Sequence, residues 1–150
     1  MQRHLLLLGL GLVVLICGKT VMAQETGNLT VRNGQGSSIG RIESNGTFRN
    51  SSGSTIGTFD RGTVRNSSGS YMGKVDGNGT IRNSRGSTIG RVESNGTLRD
   101  SSGSTVGKIE ANGTVRNRRG STVGRFEGYV PSSRHVATAY LFFFEPLYKH

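Results

Sequence analysis

The sequence predicts an all-β fold, a closed meander of about twelve short antiparallel strands built from six 17-residue repeats. Three observations lead to this prediction: a fixed repeat period, three apolar positions at constant offsets in each copy, and glycines at constant turn positions. Such a period indicates a repeat architecture, in which each unit buries its apolar residues against its neighbours. An apolar C-terminal segment is predicted to plug the meander as a short helix or strand.

The N-terminus has the pattern of a secretory signal peptide. Arg3 and His4 precede an apolar run from Leu5 to Cys17, and a small-residue cleavage site ends at Ala23. We therefore expect a signal peptide over residues 1–23 and an exported protein, in the periplasm or at the cell surface. The run of 13 residues is shorter than the ~20 that span a bilayer, so we expect no transmembrane span in the mature chain. Lipoprotein processing at Cys17 is the alternative, although Ile16 is bulky for that signal.

The mature chain is expected to be basic and free of disulfides. Cys17 is the one cysteine of the sequence and lies in the segment that would be removed. Without Arg3 and Lys19, the 19 basic residues fall to 17 against 9 acidic ones, a net charge of +8. Such a charge is compatible with anionic glycans, anionic lipids or nucleic acid as partners, but a role in solubility alone is the preferred interpretation.

The repeat domain is predicted over residues 24–128. Its copies begin at Leu29, Gly46, Gly62, Gly79, Gly96 and Gly113. We number each copy from its first residue, so that positions 3, 11 and 14 of the second copy are Phe48, Ile56 and Phe59. All three are apolar in every copy, and the β-branched bias of these positions favours strands.

Two glycine-ended loops connect the predicted strands. Ser44–Gly46 and Ser51–Gly53 each read as a type I turn closed by a left-handed glycine. These loops predict that Ile42 lies opposite Phe48 and that Phe48 lies opposite Ile56.

One step in the repeat is 16 residues long, from Gly46 to Gly62. There Arg61-Gly62 is predicted to form a two-residue turn that leaves Phe59 opposite Val64. The apolar register therefore survives the deletion, as a buried face requires.

Position 12 is glycine in every copy and separates apolar positions 11 and 14. These glycines are Gly40, Gly57, Gly73, Gly90, Gly107 and Gly124. Because residues three apart on a flat strand point to opposite faces, we expect a bulge or bend at each glycine that brings positions 11 and 14 onto one face. Six such bends would curl the sheet into a ring.

The run from Thr80 to Thr97 resembles the repeats of the bacterial β-flower proteins, which include 4-fold and 5-fold forms and are exported proteins of Bacteroidetes. The resemblance covers roughly residues 29–126. Where that family often has Tyr-Asp, this chain has Arg82-Asn83. The resemblance implies the repeat fold and export, and it implies no known enzyme activity.

The segment 129–150 departs from the repeat and is predicted to pack on it. Ser132 or Ser133 could cap a helix that Pro146 would end, whereas the aromatic and β-branched content of Val136–Phe144 also suits a closing strand. In either form, this segment is expected to cover the open end of the apolar ring.

No catalytic, cofactor or metal site is predicted. Gly36–Gly40 matches the Gly-x-Ser-x-Gly nucleophile elbow, but other copies replace Ser38 with Thr or Tyr. His135 and His150 are the two histidines outside the signal segment, and they form no ligand cluster in the sequence. We therefore expect a protein that is not an enzyme.

The charged residues recur with the repeat. Acids at position 15 are expected to pair with arginines at position 4, as Glu43 does with Arg49. A candidate anion-binding set is concentrated toward the C-terminal copies: Arg82, Arg85, Arg116, Arg118 and Arg119. Tyr71 is nearly alone as an aromatic residue on the polar face, which disfavours nucleic acid.

The sequence thus predicts a structural or interaction role in the bacterial cell envelope, with an envelope protein as one candidate partner. The alternative is a binding module for an anionic glycan or a membrane surface.

Overall fold

The computed structural model describes residues 12–16, 19–23 and 27–150, and in these it shows two sheets. Strands β1 (Leu12–Ile16) and β2 (Lys19–Ala23) pair with each other, apart from the barrel. Residues 1–11, 17, 18 and 24–26, with Cys17 among them, lie outside the described residues. The signal peptide and its cleavage after Ala23 therefore stay predictions.

Twelve antiparallel strands form a closed barrel in chain order, which confirms the predicted fold class. The strands are β3 Leu29–Asn33, β4 Ser38–Ile42, β5 Thr47–Asn50, β6 Thr55–Asp60, β7 Thr63–Asn66, β8 Tyr71–Val75, β9 Thr80–Asn83, β10 Thr88–Val92, β11 Thr97–Asp100, β12 Thr105–Ile109, β13 Thr114–Asn117 and β14 Thr122–Glu127. Each repeat contributes one hairpin, so the described barrel has six hairpins.

The first and last strands close the ring with the register that is used inside it. Phe126 of β14 lies opposite Val31 of β3, just as Ile42 of β4 lies opposite Phe48 of β5. In both cases position 14 faces position 3. Closure therefore needs no special pairing, and it leaves the barrel without an exposed edge strand.

The predicted turns are confirmed. Gly53 has a φ of 86° and its N–H donates to the carbonyl of Asn50 at 3.0 Å. The side-chain oxygen of Asn50 accepts the backbone N–H groups of Ser52 and Ser54, both at 3.0 Å, which fixes the loop as an Asx-type turn. In the 16-residue step, Arg61 and Gly62 have φ values of 50° and 91°, and Phe59 lies opposite Val64 as predicted.

The predicted pairing of Phe48 with Ile56 is wrong. Phe48 lies opposite Gly57, not opposite Ile56, and the pairing then jumps to Arg49 with Thr55. Position 11 is therefore the extra, unpaired residue of a β-bulge, and position 12 takes its place opposite position 3. As a result Gly57 is buried while Ile56 is only partly buried, so position 11 does not share the inner face equally with position 14.

The inner face of the barrel is formed by positions 3 and 14, which are buried in every copy except at Phe59. Phe59 is partly exposed and lies next to the short Arg61-Gly62 turn.

The C-terminal segment folds as a helix, one of the two forms that the sequence left open. A 3-10 turn (Pro131–Ser133) leads into helix α1 (Arg134–Phe143), and a second 3-10 turn (Leu147–Lys149) follows. Ser133 occupies the N-cap position, but its hydroxyl accepts the Val130 N–H at 3.4 Å and makes no bond to the helix. The predicted serine cap is therefore absent at Ser133.

Helix α1 lies inside the barrel. Six consecutive residues, Val136–Leu141, are buried, which is more than one turn and so includes every side of the helix. At its start, Arg134 Nη1 donates to the carbonyl of Ser94 at 3.2 Å, beside the Asn-Gly turns. Beyond its end, Lys149 and His150 lie beside the opposite turns, at Arg118 and Arg119. The segment thus passes from one mouth of the barrel to the other. Among the described residues, no helix is long and apolar enough to cross a membrane.

Candidate functional site

The six position-12 glycines form a ring around the C-terminal segment, which we call the glycine ring. Each of its glycines faces one bulky tail side chain. The pairs are Gly40 with Tyr140, Gly57 with Phe144, Gly73 with Phe143, Gly90 with Phe142, Gly107 with Tyr148 and Gly124 with Leu147. A Cβ at each of these positions would meet both the plug and a backbone carbonyl of the adjacent strand, so glycine leaves space for both. The contact with the tail was not predicted from the sequence.

Aromatic packing fixes the plug inside the wall. The ring of Tyr140 meets Phe48 edge-on at 5.8 Å and Phe126 at 6.1 Å, and Phe144 meets Phe48 at 5.0 Å. Such edge-to-face pairs add about 0.5–1.5 kcal/mol each beyond the burial of their area. Burial, with a smaller contribution from the charge of Glu145, raises the pKa of Tyr140 to about 12. The plug thus occupies the lumen along the glycine ring. The candidate binding surfaces therefore lie outside the lumen.

The outer face carries a belt of cations, formed by positions 4 and 13, which we call the cation belt. Position 4 is arginine in every copy: Arg32, Arg49, Arg65, Arg82, Arg99 and Arg116. Position 13 is basic in five of six copies: Arg41, Lys74, Arg91, Lys108 and Arg125, with Thr58 in the sixth. The register sets the two positions directly opposite each other, as in Arg41 with Arg49. Like charges so placed repel each other unless an anion lies between them.

The position-15 acids supply that anion. Glu43 lies 2.6 Å from Arg41 and 3.1 Å from Arg49, and the expected pairing of positions 15 and 4 occurs in five copies, including across the closure at Arg32 and Glu127 (2.9 Å). Hydrogen bonds from Arg41 and then Arg49 hold the pKa of Glu43 below its ordinary 4.5. Three acids, Glu43, Asp76 and Glu127, contact cations at both positions, and each of these groups keeps one net positive charge.

The position-4 arginines also serve the fold. Arg49 Nη1 donates to the carbonyl of Gly53 at 3.0 Å, and the same bond recurs in all six copies. The position-4 side chains that pair with acids are nonetheless 32–40% exposed, so solvent screens these ion pairs and each contributes little to stability.

The predicted anion-binding residues do not form one site. Arg82 and Arg116 belong to the cation belt and bond to Asp76 (3.0 Å) and Glu110 (2.9 Å). Arg85, Arg118 and Arg119 lie instead on exposed turns at the end of the barrel. The set therefore divides into a structural pair and a turn group.

Arg118 and Arg119 line an open cleft of about 460 Å³, which we call the tail cleft. Lys149 and His150 of the tail also line it, and its remaining lining residues are Val106, Asn117 and Tyr148. The Asn117 side-chain amide donates to the carbonyl of His150 at 3.0 Å, which ties the tail to the turn.

The nucleophile-elbow motif does not have the geometry of an elbow. Ser38 begins β4 and is followed by strand, whereas an elbow serine occupies a strand-to-helix turn. His135 lies on α1, where burial lowers its pKa. No group of three or more His, Cys, Asp or Glu residues that could hold a metal ion occurs in residues 27–150 or in the other described segments.

Comparison with known proteins identifies one family. A family model described as "5-fold beta-flower protein" matches residues 20–144, which is most of the chain. The described barrel has six repeats, one more than that description states. No curated protein and no solved structure matches.

Proposed function

We propose that this chain, which belongs to the beta-flower protein family, is an exported, non-enzymatic protein with a structural or interaction role in the bacterial cell envelope. The repeat hairpins and the plug form a rigid scaffold, and the outer surface of that scaffold makes the interactions. The basic signal-like segment at residues 1–23 supports the assignment to export.

The observation that carries this proposal is the use of the repeat's constant residues for self-contacts. The position-12 glycines accept the plug, the position-5 side chains fix turns, and the position-4 arginines bond to turn carbonyls. Residues that make the same contacts in all six copies serve the scaffold. An interaction surface would therefore be formed by residues that differ between copies.

The export part of the proposal is tested by expressing the full chain in a Gram-negative bacterial host and measuring the intact mass in each cell fraction. We expect a chain that begins at Gln24 in the periplasmic or outer-membrane fraction. A chain lipidated at Cys17 would still be exported, with processing at Cys17 in place of cleavage after Ala23. An unprocessed chain in the cytoplasm would contradict the proposal.

The interaction part is tested by cross-linking in the envelope fraction, followed by capture of the tagged barrel. We expect a defined partner that the same extract does not give with a tagged, unrelated basic protein of similar charge. Identical recovery with both proteins would contradict a specific interaction role.

A second candidate function is binding of an anionic glycan or membrane surface through the cation belt. The observation that favours it is the register, which sets basic residues directly opposite each other and leaves a net positive charge on each group. Surface charge of one sign repeated around a barrel attracts a polyanion more strongly than the same charge dispersed.

Position 13 offers a clean test because Thr58 already occupies it in one copy. Changing Arg41 and Arg91 to Thr removes two charges and leaves the structural arginines of position 4 in place. The matched control changes Arg61 to Asn and Arg85 to Ser, which removes two charges from exposed turns outside the belt. If the belt binds, the first variant loses retention on heparin or anionic vesicles at ~150 mM salt and the control does not. Equal loss by both would refute the belt as the site.

A further inference from the structure

The turn at Arg118-Arg119 departs from the repeat in a way that the fold does not require. The equivalent residues are Ser51-Ser52, Ser67-Ser68 and Ser101-Ser102 in three other copies. The geometry is nevertheless the same: Gly120 has a φ of 84° where Gly53 has 86°. Asn117 Oδ1 accepts the N–H groups of Arg119 and Ser121 at 3.0 Å, as Asn50 does for its own turn.

The two arginines therefore add charge and no turn stability. Their side chains border the tail cleft, and Lys149 faces the same space. No ion pair joins Arg118, Arg119 or Lys149 to an acid within residues 27–150.

Two acids act near this cleft. Asp100 has a lowered pKa, first because the Ser102 hydroxyl bonds to it and to a smaller degree because of the charge of Arg118. Glu145 Oε1 lies 3.8 Å from His150 Nε2. Neither of them lines the cleft, so its polar lining consists of Arg118, Arg119, Lys149, His150 and Asn117, whose amide donates to the His150 carbonyl.

The cleft also has apolar lining residues. Tyr148 is 8% exposed and packs its ring against Phe142 at 5.3 Å, while Val106 is partly buried. An open space lined both by cations and by aromatic and aliphatic side chains fits a ligand with one anionic end and one apolar or ring-bearing end.

We propose that the tail cleft, which is lined by the cations Arg118, Arg119 and Lys149 and by Val106 and Tyr148, binds a phosphate monoester carried on an apolar or ring-bearing body. The arginines bind the phosphate oxygens through their N–H groups, and Tyr148 and Val106 contact the body. This site is separate from the cation belt and does not depend on the proposed cellular location.

The test titrates the purified protein with phenyl phosphate and follows the backbone amide signals of Arg119, Ser121 and Lys149 by NMR. The key variant is Arg118→Ser/Arg119→Ser, which restores the turn that three other copies already have. The matched control is Arg91→Thr/Lys108→Thr, which removes the same charge from the cation belt and has Thr58 as its precedent. Lys149→Gln is an independent second variant on the tail side.

We expect saturable binding that weakens about tenfold or more in the double-serine variant and in Lys149→Gln, but less than about threefold in the control. Inorganic phosphate should bind more weakly than phenyl phosphate because it lacks the apolar contact. Unsaturable titration, equal weakening in both double variants, or equal affinity for the two phosphates would overturn the proposal.

The source of the phosphate is distinguished with vesicles of phosphatidylcholine with and without phosphatidic acid. Sedimentation with the phosphatidic acid vesicles that the double-serine change abolishes assigns a lipid headgroup. Phenyl phosphate binding without vesicle binding assigns a soluble phosphorylated compound. Vesicle binding that the double-serine change leaves intact would overturn the cleft as the site.

Discussion

Replacement of Gly90 by Ala should destabilise the barrel through contact with the plug. A Cβ at Gly90 would lie 2.7 Å from the carbonyl oxygen of Arg99 and 2.9 Å from Cζ of Phe142. Ordinary carbon contacts are about 3.5–4.0 Å, so both neighbours would have to move by about 1 Å. Arg99 lies in β11, which is hydrogen-bonded to β10, and its carbonyl can shift only by straining that pairing.

The expected cost is about 3 kcal/mol, the upper end of what overpacking usually costs, because backbone and plug must both yield. The backbone conformation of Gly90 contributes little, since Gly90 is not among the glycines with positive φ. The destabilisation would therefore measure the close approach of both the Arg99 carbonyl and the plug to Gly90.

Two glycines of the neighbouring turns are matched controls. Gly86 has a φ of 84° and open space around its Cβ direction, so alanine there should cost about 1–2 kcal/mol from the left-handed backbone alone. Gly77 has open space and no positive φ, so its replacement should change stability by less than about 0.5 kcal/mol.

The assay is urea unfolding of the three variants, with the free energy of unfolding taken from the midpoint and slope. We expect the order Gly90→Ala, Gly86→Ala, Gly77→Ala from most to least destabilised. A Gly90→Ala variant no less stable than Gly86→Ala would refute the tight fit of plug and glycine ring.

Three further predictions concern the plug, the short turn and the ion pairs. Leu141→Ala should cost about 4 kcal/mol in urea unfolding, because Leu141 is fully buried on α1 and a closed wall cannot collapse into the cavity; a cost below about 1 kcal/mol would contradict burial. Arg61→Asn should raise the free energy of unfolding by about 0.5–1 kcal/mol, because Arg61 has a φ of 50° that Asn tolerates better, and a lower melting temperature would count against this. Arginine hydrogen bonds lower the pKa of Glu43, Glu93 and Glu127 in the folded state, so their stabilising contribution is present above the unfolded pKa near 4.5 and is lost as the pH falls below it. Melting curves from pH 6 to pH 3 should show this loss, and 1 M salt should reduce it; a stability that does not change over this range would show that the pairs do not contribute.

The fold could be predicted because the same turn and register patterns occur in every repeat. The glycine-ended loops fix the turn type locally, and the 16-residue step shows which register a buried face must keep. Position 3 against position 14 therefore followed from loop length alone. Loop length did not predict the partner of Phe48 in the next strand, because a β-bulge adds one residue to that strand and leaves the loop unchanged. Gly57 therefore takes the place opposite Phe48 that was predicted for Ile56.

The candidate sites were harder to predict because they arise between distant segments. The pairing of Glu43 with Arg49 follows from one hairpin and was foreseen. The tail cleft joins Arg119 to Lys149, and only the path of α1 through the lumen brings these residues together. The cation belt depends on position 13 lying opposite position 4. The Asn-Gly loop implies this pairing for Arg41 and Arg49, but the pairing was not among the predictions from the sequence.

Nuclear Overhauser effects in solution would show whether the tail fills the lumen and meets the glycine ring. We expect contacts from the ring protons of Phe142 to the Hα protons of Gly90, from Phe143 to Gly73 and from Phe144 to Gly57. Each glycine should show its strongest contact with its own partner among the tail side chains. Absence of these contacts, or tail ring signals at random-coil positions, would show that the barrel is not plugged by its own C-terminal segment.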